Sequence, residues 1–338
     1  MTDWRLPENR RECFQRFYSF HLKFRTHPGC VYFALPAIAE RMELDDDGKA
    51  WLVWLNGNCE NPAVSLRILQ EAPTARSWRT AVEFWEDNYK LLEWDTDRRH
   101  QKSKFGEATK RWVKLGGIES AGAWKFHGGD WDDLWAYAVG QPYMGRLSAW
   151  SMLEYARILF PGRICDSPTL LLDDVAGSCS HRNGLAIVDG YESAHWDPTD
   201  AKMLGLVPEL ARLGESLLSE ARKRNPGSQD VCRLTLESAL CTYKSWHKRN
   251  RRYPNVYADM MVNRLRRAGK AFGDDRFEIL WEARRQALPQ YLRCEDMPRD
   301  PGLCPAKQNH YLDTGIPVNL HREWPDMDNE FNRKLEER

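Results

Sequence analysis

Glu237, Cys241 and Lys244 follow one another at i, i+4 and i+7. In a helix that spacing puts them on one face. A carboxylate can take a proton, a thiol can act as nucleophile or ligand, and an amine supplies positive charge. Just beyond them the chain carries His247, Lys248, Arg249, Arg251 and Arg252. A carboxylate, a thiol and an amine running into a knot of cations suit a phosphate-rich ligand. The plain alternative is a surface helix with a solvated charged end. Leu234, Ala239, Leu240 and Tyr243 recur at helical spacing and form the apolar stripe that would seat this helix. Cys241 reads as a structural thiol more readily than as a nucleophile.

Two further stretches collect chemically useful residues. Asp173 and Asp174 end an apolar run and precede a polar segment with Ser178, His181, Arg182 and Asn183, read as a loop of acid/base and anion-binding types or as a capped turn. Trp51-Leu-Val-Trp-Leu-Asn-Gly-Asn-Cys-Glu-Asn-Pro62 pairs an apolar run with Asn56, Asn58 and Asn61. The Asn56-Gly57-Asn58 signal predicts a turn, a common place to hold a site.

The elements that must position these residues are helical. Apolar periodicity predicts helices over 8–26, 32–42, 107–114, 131–139 and 200–224, with more in 75–95 and in 258–271 and 281–288. Trp51 to Leu55 is read as a buried helix, with Asp45 or Asp46 as its cap, and Pro62 opens the next one over 63–70. Residues 95–104 are charged and read as a loop; 115–130 are glycine-rich and irregular. Asp130 caps the helix over 131–139. In 140–150 a proline, a small turn and Gly145 lead to Leu147, Ser148 and Ala149, which open a helix running to 159. This resembles the hairpin of helix–hairpin–helix DNA glycosylases, in which hairpin amides and the next helix's N-terminus hold a DNA phosphate. Gly145 keeps the second hairpin glycine; Tyr143 replaces the first. Asp166 then lies at about the remove of the glycosylases' catalytic aspartate. The expected organisation is one helical domain over 1–290, with room for two lobes meeting near 115–140, and an extended C-terminal strap over 291–338.

Composition narrows the function classes. Apolar content of 42% and charge of 29% belong to a globular chain of 338 residues. Net charge is zero, so a polyanion must be met by a local patch. From 222 to 270 there are thirteen Lys and Arg against three Asp and Glu. Nine cysteines without a CxxC pair argue against a disulfide framework and a zinc ribbon. No run of about 20 apolar residues and no apolar leader predict neither a membrane span nor a signal. P-loop, dinucleotide, deaminase, HExxH and GxSxG patterns are missing. No cofactor and no metal are therefore expected, apart from a magnesium ion on a phosphate ligand. Fifteen tryptophans are enough for helix packing and for holding an unstacked base.

The Trp51–Pro62 motif and Thr235-Leu-Glu-Ser-Ala-Leu-Cys-Thr-Tyr-Lys244 resemble motifs of the phage amino acid:DNA transferases, of the alpha-glutamyl/putrescinyl thymine pyrophosphorylase group, over about residues 10–285. The resemblance implies an all-α fold related to the helix–hairpin–helix glycosylases. It implies double-stranded DNA with modified uracil as partner, prepared by a DNA-base kinase. It implies that the pyrophosphate of 5-pyrophosphomethyl-deoxyuridine is displaced by a free amino acid or polyamine, with base flipping, in the cytoplasm of an infected host. Residue roles are then assigned by chemistry: Glu237, Asp173, Asp174 and Lys244 to catalysis. Arg249, Arg251, Arg252, Asn56, Asn58, Asn61, Arg182 and Tyr243 are assigned to substrate and pyrophosphate. Gly145, Arg146, Ser148 and Lys248 are assigned to the DNA backbone. The alternatives are a glycosylase on a related fold and a non-catalytic DNA-binding protein.

Overall fold

The computed structural model describes residues 6–118, 130–173, 180–191, 204–244 and 256–288. Asp174, Lys248, Arg249, Arg251, Arg252 and the strap over 291–338 lie outside the described residues. The described residues form helices and turns, with no strand among them, so the all-α class stands. In chain order the helices are α1 (Arg10–Phe24), α2 (Val31–Arg41), α3 (Asp46–Cys59), α4 (Pro62–Glu71), α5 (Trp78–Asp87), α6 (Arg99–Lys102) and α7 (Phe105–Lys114). They continue as α8 (Trp131–Val139), α9 (Arg146–Leu159), α10 (Ser180–Val188), α11 (Val207–Arg224), α12 (Arg233–Tyr243), α13 (Val256–Phe272) and α14 (Glu278–Ala287).

The chain divides into two compact units. One comprises Met1–Pro28, Ser167–Met260 and Ala287–Arg338. In it α1, α10, α11 and α12 pack on one another. Phe14, Phe17 and Tyr18 recur at three and four along α1 and are fully buried. α1 packs on α11 and α12, whose Leu217, Leu218, Leu234, Leu236 and Leu240 are fully buried as well. Gln15, also buried, donates to the Leu217 carbonyl at 2.9 Å. α1 stops where Arg25 takes a left-handed conformation (φ 54°), two residues before the expected His27-Pro28-Gly29 break.

The other unit comprises Gly29–Asp166 and Met261–Gln286. Its centre is α3, packed against α2, α4, α6 and α9. Asp45 caps α3 by accepting from the Gly48 amide at 2.8 Å. Trp51 to Leu55 is buried throughout, and Trp51 and Trp54 stack on Trp112 of α7 with ring centroids 5.5 and 4.9 Å apart.

Two local expectations are corrected. Asn56-Gly57-Asn58 is not a turn; α3 runs on through Cys59 and closes at Glu60 (φ 48°). Burial overrides the local turn preference here. Gly57 lies under α9 and the turn before it, where an added Cβ would be 3.7 Å from Met152 Cγ and 3.3 Å from Met144 Cε. Asn58 donates back to the Trp54 carbonyl at 2.9 Å, which satisfies its amide inside the helix. The charged stretch 95–104 is not a solvated loop either. It forms a short 3₁₀ turn and α6, and sends Arg98 and Gln101 into the unit. Arg98 donates to Gly57 O at 3.3 Å and Ser151 Oγ at 3.1 Å, and lies 3.5 Å from the Glu60 carboxylate. A guanidinium with that many partners is stable where a lone buried charge would not be.

Candidate functional site

The face predicted on α12 is formed, and a neighbouring helix completes it. α12 is held at its start by Arg233, which donates to both Glu215 carboxylate oxygens at 2.8 and 2.7 Å and to the Ser167 carbonyl at 3.0 Å. Thr235 ties the first turn by donating to the Asp230 carbonyl at 2.6 Å. Leu234, Ala239, Leu240 and Tyr243 are buried, which turns Glu237, Cys241 and Lys244 toward α10.

α10 comes unusually close because it carries a glycine at the crossing. A Cβ at Gly184 would stand 2.4 Å from the Leu240 carbonyl oxygen. Any other residue there would hold the helices apart. The segment holding Ser178, His181, Arg182 and Asn183 is expected as a polar loop or a capped turn between helices; from Ser180 onward the chain is instead the first turn of α10, with His181, Arg182 and Asn183 all buried. Polar types suggest a loop, but this turn faces the inside of the unit, where Arg182 donates to the Leu172 carbonyl and His181 meets Glu237.

The geometry at the crossing is compact. His181 Nδ1 lies 3.3 Å from Glu237 Oε1. The Cys241 thiol donates to the same carboxylate oxygen at 3.4 Å. Lys244 Nζ donates to Ser180 Oγ at 2.7 Å. His181 is fully buried and Glu237 is 3% exposed, while Cys241, Lys244 and Ser180 are half-buried. The cluster therefore has a closed end at His181 and an open edge along Cys241 and Lys244. In chemical terms it offers a proton acceptor in low-dielectric surroundings, a thiol, and an ammonium one turn on. The chain leaves Lys244 directly into the basic run that carries Lys248, Arg249, Arg251 and Arg252.

His181 is visible in the sequence as one member of a polar run, but nothing along the chain points it at Glu237. Fifty-six positions separate the two, and only the α10–α12 crossing joins them. Arg182 points into the unit and donates to the Leu172 carbonyl at 3.0 Å, so it secures the turn at Asp173, whose side chain is exposed. Tyr243 is fully buried; its hydroxyl donates to the Arg10 carbonyl at 3.1 Å and its ring meets Phe14 edge-on at 5.2 Å. That is a packing role, which leaves no ring face for a substrate.

The remaining candidates belong to the other unit. Asn56 accepts from Ser65 Oγ at 3.0 Å. Asn61 caps α4 by accepting from the Ala63 amide at 3.2 Å and donates to the Glu93 carbonyl at 2.7 Å. With Asn58 they are 2% exposed or less and serve the α3–α4 corner. The hairpin between α8 and α9 has Tyr143 in the left-handed region (φ 61°), the conformation a glycine would take there. Gly145 is the extended N-cap of α9, exposed, with nothing within 4 Å of an added Cβ. Arg146 is half-buried at the first turn. Ser148 is buried and accepts from Gln101 Nε2 at 2.9 Å, so its hydroxyl braces the hairpin from within.

No helix among the described residues is long and apolar enough to cross a membrane. No family model matches the chain, and no solved structure matches it. The chain is similar to a serinyltransferase of Salmonella phage ViI, with 26% identity over 344 positions that span 94% of this chain and 84% of that protein.

Proposed function

We propose that this protein is a phage amino acid transferase that acts on DNA, displacing pyrophosphate from a 5-pyrophosphomethyl-uracil with an amino acid. The observation that carries the chemistry is the His181–Glu237–Cys241 cluster at the α10–α12 crossing. The similarity to a phage serinyltransferase supports an amino acid as the group transferred, and serine is the first to test.

The reaction needs three things. The attacking amine or hydroxyl must lose a proton, and the cluster is where it does so. The bond from that nitrogen or oxygen to the methylene carbon forms as the carbon–oxygen bond to pyrophosphate breaks. The electron pair leaves on pyrophosphate, where positive charge must already be in place. Lys244 and the arginines at 249, 251 and 252 supply it, the arginines by two-pronged hydrogen bonding. The third need is access to the base. A flipped uracil and a DNA phosphate held at the Gly145 hairpin suit a helical, tryptophan-rich chain.

The test is to incubate the protein with DNA carrying pyrophosphomethyl-uracil and free serine, then digest to nucleosides for mass spectrometry. A nucleoside heavier than 5-hydroxymethyl-deoxyuridine by one serine less one water, together with released pyrophosphate, is expected. Glu237→Gln should lower the rate about 100-fold or more, as loss of a proton acceptor does, and Lys244→Ala should slow it by a similar order through loss of leaving-group charge. Free base and abasic sites instead of product would support a glycosylase. DNA binding with no new nucleoside from any amino acid would leave only a binding protein.

A further inference from the structure

The crossing of α10 and α12 gathers lone pairs in a way that calls for a cation. Glu237 Oε1 faces an imidazole nitrogen at 3.3 Å and a sulfur at 3.4 Å. His181, Glu237 and Cys241 each offer a ligand atom, and these atoms all lie within 4.8 Å of one another. A carboxylate oxygen, an imidazole nitrogen and a sulfur repel unless a proton or a metal ion sits among them. A zinc ion with bonds of about 2.0–2.3 Å places the ligands of a tetrahedron about 3.3–3.6 Å apart. Two of the three separations, those at Glu237, already have that length.

The frame is also that of a site. Two ligands, Glu237 and Cys241, stand one helical turn apart on α12, and the third comes from the facing helix. Both helices are held in register by buried packing and by the close approach at Gly184. Imidazole, carboxylate and thiolate together are a donor set for zinc and similar borderline ions rather than for magnesium or calcium. Three protein ligands with a partly open edge match the catalytic pattern, in which a fourth position is left for water or substrate.

We propose that His181, Glu237 and Cys241 form a zinc-type transition-metal site whose fourth position lies at the Cys241–Lys244 edge. For what the metal does there, the proposal rests on the transfer reaction. An ion at this place takes up the role of the shared protons and lowers the pKa of the amine or hydroxyl bound to it. Glu237 then binds the ion through Oε1, which faces His181 and Cys241, and its second carboxylate oxygen takes the attacking group's proton.

The experiment uses the full-length chain. Protein stripped with a chelator is titrated with zinc and with cobalt(II) alone, and metal content is measured by mass spectrometry. One equivalent of metal per chain is expected, with protons released on binding. The cobalt form should show a sulfur-to-metal absorption in the near ultraviolet. Cys241→Ser, at a half-buried position, should keep the fold by circular dichroism, lose that absorption and bind metal about 100-fold more weakly or worse. His181→Gln gives an independent ligand deletion. No stoichiometric metal, or a sulfur band that survives in Cys241→Ser, would overturn the proposal. The same preparations are run in the transfer assay. Full transfer by metal-free protein overturns the metal's part in the reaction and leaves the transfer function standing. Metal bound at Cys241 with no transfer to any acceptor supports the site while removing the proposed function.

Discussion

Single residues in this protein are set by what surrounds them more than by their type. His21 shows this for protonation. Its ring is buried against Phe17 at 4.2 Å, with Nδ1 3.3 Å from Thr26 Oγ1. Burial pulls its pKa down from 6.5 to about 3, against a smaller opposing pull from the Thr26 backbone. The native state thus keeps His21 neutral where the unfolded chain would protonate it. The contribution to stability is complete above about pH 6.5 and falls as pH drops toward 3, by at most about 1.4 kcal/mol per pH unit. Urea unfolding across that range should give a slope that is shallower by about one proton in His21→Phe. Equal slopes in the two proteins would refute a neutral buried histidine. The same dependence on surroundings separates Glu237 from Tyr243, six positions apart on one helix. Their face assignment is legible from spacing. What occupies the space opposite each face is not, because α1 and α10 come from distant stretches of chain.

At the scale of elements, caps and apolar periods are reliable guides. Asp45 before α3, Asn61 and Pro62 at α4, and Asp130 before α8 each start a helix where local chemistry says one should start. Local turn signals fail where the segment is buried. Asn56-Gly57-Asn58 is drawn into α3 by its packing under α9, and the polar run from Ser180 becomes the head of α10. The α10–α12 crossing is the element pair on which the site depends, and Gly184 sets its distance. Gly184→Ala must push a methyl against the Leu240 carbonyl, so it should cost about 1–3 kcal/mol and weaken both metal binding and transfer. Gly145→Ala meets open space at φ −90° and should shift stability by less than about 1 kcal/mol. A thermal melt of the two variants side by side checks this; equal melting temperatures would mean that the helices can separate without cost.

For the whole molecule, zero net charge with a strongly basic segment over 222–270 makes DNA affinity a local property. Replacing Lys248, Arg249, Arg251 and Arg252 by Gln should weaken binding to unmodified duplex regardless of its sequence. It should also lower the slope of log affinity against log salt by about 0.9 for each phosphate that is no longer neutralised. An unchanged slope would move the DNA-facing surface elsewhere, with the Gly145 hairpin the next place to look.

Much of this is decided by sequence alone. The helical class follows from the spacing of apolar residues. The polar face of α12 follows from Glu237, Cys241 and Lys244 standing at helical intervals, and the location of positive charge follows from counting. These are local or additive properties, which a chain carries whether or not it is folded. The partnership of His181 with Glu237 and Cys241 is decided only by tertiary structure, as are the burial of Arg98 and the enclosure of Asn56 and Asn58. Each depends on which helix lies opposite, and at the site that choice turns on Gly184, whose missing side chain lets α10 reach the backbone of α12.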